Sequence, residues 1–125
     1  MTGVGRNLLR PSAAIVLSMI IGLSGCHSYH IETTVENQTG TAIQLLEVDY
    51  PSASFGVDHL DAAAVFHYRF QVRGSGQLTL QYSDATGQQI RITGPTLAER
   101  QQGQLQIVLL PGGKTEFHPQ LSAQP

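Results

Sequence analysis

The sequence contains a single cysteine, Cys26, and no tryptophan. With one thiol an intramolecular disulfide is impossible, so a folded domain in this chain depends on its apolar core. The absence of tryptophan and of a cysteine pair also excludes the Cys…Trp…Cys pattern of antibody domains. Charged residues make up 13% of the chain and Lys114 is its single lysine. The chain therefore has few of the charges that usually guard exposed strand edges.

The apolar run near the start of the chain is short. Residues 13–23 read AAIVLSMIIGL and follow Arg6 and Arg10, with no acidic residue before them. As a helix this run would rise about 16 Å, roughly half of a hydrocarbon core, so it is a poor permanent span. A basic segment followed by such a run predicts a secretory signal peptide over residues 1–25.

The four residues that end this segment, Leu23-Ser24-Gly25-Cys26, resemble the lipobox of bacterial lipoproteins. The resemblance implies a thioether-linked diacylglycerol on Cys26, cleavage before it, and usually a third acyl chain on the new amino group. Each buried methylene contributes about 0.8 kcal/mol and a single chain holds only marginally, so two or three chains give stable anchoring. The alternative is that Cys26 is a small apolar residue at the end of a signal.

Cleavage before Cys26 would leave one hundred residues, the size of a single domain. Removal of Arg6 and Arg10 would leave five of the seven basic residues against nine acidic ones. Five scattered cations cannot form the basic patch that neutralises phosphates, so we expect no nucleic-acid partner.

Beyond the tether of residues 26–30, apolar and polar residues alternate with the period of half-buried strands. The predicted strands are residues 31–36, 41–50, 65–72, 77–83, a return strand marked by Ile90 and Ile92, 105–110, and a short edge strand over 114–118. Turn residues separate them at 37–40, 84–87 and 111–113, with the Asp-first, Gly-last segment 84–87 typical of a type I turn. Gly94-Pro95 is expected to stop its strand, and residues 119–125 are expected to form a disordered tail.

Two of these strands carry further information. In 41–50 the apolar side switches between Leu45 and Leu46, which a β-bulge would correct; a strand buried on both faces is the alternative. In 65–72 the side chains of Phe66, Tyr68 and Phe70 share one face. Aromatic residues bury large areas, so this face is expected to belong to the core.

The rhythm of about seven short strands, without an amphipathic helix, predicts an all-β, single antiparallel β-sandwich over residues 31–118. In layout the chain after Cys26 resembles the immunoglobulin-like and fibronectin-type-III-like domains of bacterial lipoproteins. That architecture hosts many roles, so the resemblance implies a fold and leaves the function open.

The two segments that resemble parts of catalytic motifs lack the remaining residues and the helix that those motifs require. Residues 111–115, PGGKT, contain the end of a phosphate loop, but Val108 stands where the first glycine is required and no helix follows. Residues 74–76, GSG, lack the pattern and the helix of a nucleophile elbow. We therefore expect no catalytic residues, no cofactor and no enzymatic activity.

One segment is a candidate binding loop. Phe55, Asp58, His59 and Asp61 lie within seven residues of a stretch that follows Pro51 and alternates poorly. Phe55, Val57 and Leu60 are expected to point inward, and the stretch has room for one short strand. Binding residues often lie on loops held by a rigid scaffold, so a small ligand or a metal ion is the alternative function here. A metal site needs three or four converging ligands, and short acidic loops are ordinarily solvated turns, so no metal is assigned.

The predicted outward positions are rich in glutamine: residues 44, 71, 77, 81, 89, 104 and 106. A neutral polar face suits either plain solvation or contact with another protein, including strand addition at an edge. The leading hypothesis is thus a membrane-anchored lipoprotein with a non-enzymatic interaction or structural role in the cell envelope. In enteric bacteria an Asp after the lipidated cysteine retains lipoproteins at the inner membrane. Here that position is His27, which favours the periplasmic face of the outer membrane in a two-membraned organism.

Overall fold

The computed structural model describes residues 29–123, which form a small all-β sandwich. Within that range the strands are β1 (Ile31–Asn37), β2 (Ile43–Tyr50), β3 (Ala53–Leu60), β4 (Val65–Phe70), β5 (Gly76–Ser83), β6 (Gln89–Leu97), β7 (Gln101–Leu110) and β8 (Lys114–Ala123). A short 3-10 turn, Pro111–Gly113, joins the last two. The predicted sandwich is confirmed, and its layered arrangement is consistent with an immunoglobulin-like fold.

Each of the two sheets has four strands. Sheet A has the order β4-β1-β7-β8, and sheet B has the order β3-β2-β5-β6. Neighbouring strands are antiparallel except β1 and β7, which pair in parallel from Ile31 opposite Gly103 to Asn37 opposite Leu109. A parallel pair requires a long crossover connection, and here all the strands between β1 and β7 supply it.

The core lies between the two sheets, where the inward residues of every strand meet. Its fully buried side chains are mostly leucine, isoleucine and valine, including Ile31, Val35, Ile43, Val48, Leu78, Leu80, Leu97, Leu105, Ile107 and Leu109. These residues recur at alternate positions because successive side chains in a strand point to opposite faces. With no disulfide available to the domain, this apolar layer stabilises the sandwich.

The predicted β-bulge in the second strand is confirmed. The register of β2 against β5 shifts between Gln44 and Glu47, and Leu45 takes a left-handed backbone conformation with φ of 54°. Ile43 and Leu46 are both buried, whereas Leu45 is 63% exposed. The extra residue thus turns Leu46 back into the core and leaves Leu45 in solvent.

Three local predictions were wrong. Gly94 and Pro95 do not end a strand, because β6 continues through them to Leu97. An added Cβ at Gly94 would lie 2.9 Å from both the Leu78 side chain and the Phe117 ring, so the glycine lets β6 pass close to β5 and β8. Proline is tolerated since β6 is the last strand of sheet B.

The predicted tail and the predicted loop are also strands. β8 extends past residue 118 to Ala123, because its pairing with β7 continues as far as Gln101 opposite Ala123. The segment 53–60 forms β3, which pairs with β2 from Ala53 opposite Tyr50 to Leu60 opposite Ile43. Both are strands at sheet edges, where half of the backbone groups face solvent and the sequence pattern is weakest.

The two ends of the sandwich are distinct. The proximal end, where β1 begins at Ile31, is formed by the connections at residues 51–52, 71–75 and 98–100. The distal end is formed by the connections at 38–42, 61–64, 84–88 and 111–113. The turn predicted at 84–87 is confirmed at the distal end: the Gly87 N–H donates to the Asp84 carbonyl at 3.0 Å.

Candidate functional site

The large apolar side chains that reach solvent lie on β4 and on β2, the strand that pairs with the edge strand β3. Among the described residues the exposed large hydrophobic side chains are Leu45, Val65 and Tyr68, which are 63%, 42% and 39% exposed. Val65 and Tyr68 lie on β4, and Leu45 lies on β2 beside β3. We call this region, with β3 and β4 at its centre, the β3–β4 side.

A stack of aromatic rings joins the two sheets at this side. The Phe55 ring of β3 stacks on the Tyr68 ring of β4 with centroids 4.3 Å apart and an interplanar angle of 11°. Tyr50 and Phe70 form a second close pair at 4.3 Å, and Phe66 lies 6.2 Å from Phe55. The rings therefore form one continuous cluster that bridges the edges of sheets A and B.

The prediction that the β4 aromatic face belongs to the core holds for part of it. Phe70 is 3% exposed and Phe66 is half-buried, but Tyr68 is exposed. Burial of this face thus varies along β4, from the buried Phe70 to the exposed Tyr68. The alternating pattern located this face, whereas the exposure of Tyr68 follows from the position of β4 at the edge of its sheet.

The edge strands of the two sides differ in their protection. On the opposite side, β6 contains Pro95, and β8 contains Pro119 and Lys114. Proline and lysine are two of the means by which natural sheets block unwanted strand pairing. β3 and β4 contain neither residue type. The side with the exposed apolar groups is therefore also the side whose edge strands lack proline and lysine, although β3 carries Asp58 and β4 carries Arg69.

The bulge adds a strained residue to the same side. A left-handed conformation costs a residue such as leucine roughly 1–2 kcal/mol, and it is uncommon outside glycine, asparagine and aspartate. Leu45 adopts it while exposing its side chain. Opposite the bulge, an added Cβ at Gly56 would collide with the Leu46 carbonyl oxygen, so this stretch of β3 lies directly against the distorted backbone.

The residues of the predicted binding loop do not converge. Phe55 is buried in the aromatic cluster, whereas Asp58, His59 and Asp61 are exposed. His59 Nε2 lies 2.6 Å from Asp61 Oδ1, a local contact between residues two apart in sequence. Within residues 29–123 no group of three or more His, Cys, Asp or Glu side chains is arranged to hold a metal ion.

The outward glutamines do not share one face. Gln104 and Gln106 lie on the outer surface of β7 in sheet A. Gln44, Gln77, Gln81 and Gln89 belong to sheet B, and Gln71 lies in the connection after β4. A single glutamine-rich contact surface is therefore not formed, and these residues behave as the polar outer layers of two sheets.

A polar cluster occupies the outer surface of sheet B. Gln81 Nε2 donates to Glu47 Oε2 at 3.0 Å, and Arg91 lies opposite Gln81 on the next strand. Partial burial, followed by the nearby Glu47 carboxylate, raises the pKa of Asp49 above its ordinary value of 3.8. These residues tie β2, β5 and β6 together across a flat surface.

The predicted lipid-attachment residue Cys26 and the cleavage motif Leu23-Ser24-Gly25 lie outside the described residues. Among residues 29–123 no helix has the length and apolar character needed to cross a membrane. No protein family, curated protein or solved structure was found to match the chain. What is established is thus the class, a small all-β sandwich domain.

Proposed function

We propose that this chain is an exported lipoprotein, lipidated at Cys26, whose sandwich is a non-enzymatic interaction module of the cell envelope. The observation that carries the interaction role is the exposure of Val65 and Tyr68 on β4, an edge strand that contains neither proline nor lysine. The lipobox-like residues 23–26 support the anchor.

The proposed partner is an extended segment of another envelope protein that adds as a strand beside β4. An edge strand offers unpaired backbone N–H and C=O groups, and pockets for alternate side chains give such pairing its selectivity. The Tyr68 ring, which is held flat by Phe55, offers apolar surface on one face of β4, and the Val65 side chain offers it on the other, so successive residues of an added strand would cover one or the other. Within residues 29–123 no other strand pairs with the outer edge of β4.

Site-specific photocrosslinking in the native membrane tests this proposal. A photoreactive phenylalanine replaces Tyr68, and the matched control places it at His118, an exposed position on β8, the other edge strand of sheet A. We expect a discrete adduct with a second protein from position 68 and none from position 118. Cys26→Ser, the unanchored control, is expected to lose both the lipid mass and the adduct.

Two outcomes would overturn the interaction role. Equal adduct patterns from positions 68 and 118 would show that the β3–β4 side has no preferred partner. An adduct with twice the mass of this chain would identify the occupant as a second copy and replace the envelope partner by self-association. The absence of a lipid mass on Cys26 in the native protein would overturn the anchor independently of either result.

A further inference from the structure

The two ends of the sandwich differ in their charged residues. At the proximal end the connections carry Arg73, Glu99 and Arg100, and Arg69 lies one residue before the end of β4. At the distal end the connections carry Asp61 and Asp84. Three of the five basic residues after Cys26 are thus gathered at the end where β1 begins.

Two of these three arginines are available to an external anion. Arg69 is engaged, since its Nε lies 3.2 Å from Glu32 Oε1. Arg73 and Arg100 are exposed, and among residues 29–123 neither forms an ion pair with a carboxylate. With Glu99 as the one carboxylate among the described residues in the groove they share, the two guanidinium groups leave it a net positive charge of one.

A groove brings Arg73 and Arg100 together. It has a volume of about 410 Å³ and is lined by Tyr29, Gln71, Val72, Arg73, Glu99 and Arg100. Glu99, the acidic residue in this groove, accepts a hydrogen bond from the Gly74 N–H at 3.1 Å, which joins the two connections. The carboxylate therefore positions the arginine-bearing loops beside each other.

Covalent geometry places this groove close to the proposed anchor. Three peptide units separate Cys26 from Tyr29, a distance of at most about 11 Å in a fully extended chain. The Debye length is about 10 Å at 0.1 M salt, so charges at the proximal end would lie within reach of the potential of an anionic membrane surface. The distal aspartates, on the far side of the strands, would lie beyond it.

We propose that the proximal end docks on anionic phospholipid head groups through Arg73 and Arg100, which holds the sandwich upright on the membrane. Guanidinium groups suit phosphate oxygens because they donate two parallel hydrogen bonds. In an upright domain the strands point away from the membrane, so the β3–β4 side does not face the bilayer. A partner strand can then reach it. This inference rests on the proposed lipid anchor at Cys26 and adds an orientation to it.

The test uses the purified lipidated protein in vesicles of phosphatidylcholine with and without phosphatidylglycerol. A thiol-reactive fluorophore is attached at Ser75→Cys in a proximal connection or at Thr86→Cys in a distal one, and nitroxide-labelled head groups act as quencher. Because the Cys26 sulfur is held in a thioether, the introduced cysteine is the single free thiol. We expect quenching at position 75 to exceed that at 86, most strongly with phosphatidylglycerol.

The charge-neutral double variant Arg73→Gln/Arg100→Gln decides between electrostatic docking and mere tethering. We expect it to reduce quenching at position 75 severalfold and to remove the salt dependence seen as the Debye length falls from about 10 Å at 0.1 M to about 3 Å at 1 M. Arg91→Gln, on the outer surface of sheet B, is the matched control and should leave quenching unchanged. An unchanged thermal midpoint confirms that each variant is folded.

The outcomes separate this inference from the proposal on which it rests. Vesicle flotation with the lipid mass on Cys26, but equal quenching in the parent and the double variant, would overturn head-group docking and leave the anchor intact. Failure of the protein to float with vesicles, together with fluorophore labelling of Cys26 itself, would overturn the anchor.

Discussion

Thr39 donates both its backbone N–H and its hydroxyl to Oδ1 of the buried Asn37, at 3.1 and 2.7 Å. Asn37 Nδ2 in turn lies within hydrogen-bond distance of the carbonyls of Thr41, Leu60 and Asp61. One side chain thus closes the turn after β1 and holds the connection between β3 and β4. The sequence predicts a turn that begins at Asn37; Asn37 is instead the fully buried last residue of β1, and the connection begins at Gln38.

Removal of this side chain is predicted to be among the most destabilising changes in the domain. Asn37→Ala leaves several buried polar groups without partners, each at a cost of about 1–3 kcal/mol, so we expect a loss of about 3 kcal/mol or more. Asn37→Asp, which replaces the donor by an acceptor facing three carbonyls, should be at least as damaging. Urea unfolding measures both, with the exposed Gln38→Ala as the control. A loss below 1 kcal/mol in Asn37→Ala would contradict this role.

Substitutions of the two neighbouring leucines at the bulge are predicted to change the stability of the domain in opposite directions. Leu45→Asn should stabilise the domain by about 1 kcal/mol, since asparagine tolerates a positive φ and the lost side chain is mostly exposed. Leu46→Ala should destabilise it by about 2–5 kcal/mol, because Leu46 is 2% exposed in the core. Chemical denaturation gives both values. Equal destabilisation by the two substitutions would contradict the assigned bulge.

A buried hydroxyl offers a route to higher stability. Thr33 lies in the core between Ile31 and Val35, and its Oγ1 has no hydrogen-bond partner among the described residues. Thr33→Val keeps the shape and removes an unpaired polar atom, so we expect a gain of about 1 kcal/mol in the free energy of unfolding. Thr34→Val, on the outer face of the same strand, serves as the comparison and should give no gain. A destabilised Thr33→Val variant would show that the hydroxyl has a partner.

We predict that the turn after β5 makes the free energy of unfolding fall at acidic pH. The Thr86 hydroxyl donates to Asp84 Oδ1 at 2.7 Å, and this bond, with backbone N–H donors, lowers the pKa of Asp84 below its ordinary value of 3.8. The unfolded chain therefore binds the proton more readily, so the contribution is present above about pH 4 and is lost as the pH falls through the folded-state pKa.

Unfolding of Asp84→Asn and of the parent protein, compared above and below about pH 4, measures this contribution. The parent should lose more of its stability than the variant as the pH falls. Asp58→Asn, a substitution of an exposed carboxylate in β3, should instead track the parent. Parallel pH profiles for the parent and Asp84→Asn would exclude the turn as the source.

Several features of the candidate side were visible in the sequence, but their combination was not. The switch of the apolar side between Leu45 and Leu46 predicted the bulge. The alternation of Phe66, Tyr68 and Phe70 predicted a shared aromatic face. The length of the strand at residues 53–60 was not predicted, because Gly56 and the polar residues Asp58 and His59 interrupt the alternation. Edge strands face solvent along one margin, so their sequences are less constrained than those of central strands.

The sequence alone determined the all-β class, the positions of most strands and turns, and the bulge, because these follow from local periodicity and turn chemistry between near neighbours. The tertiary structure alone decided which strands lie at edges, that β1 and β7 pair in parallel, and that Phe55 stacks on Tyr68. It also decided that Asn37 reaches Leu60, and that Arg73 and Arg100 share one groove. These relations join residues 13 to 72 positions apart, and contacts at such separations depend on how whole sheets pack, which local pattern does not encode.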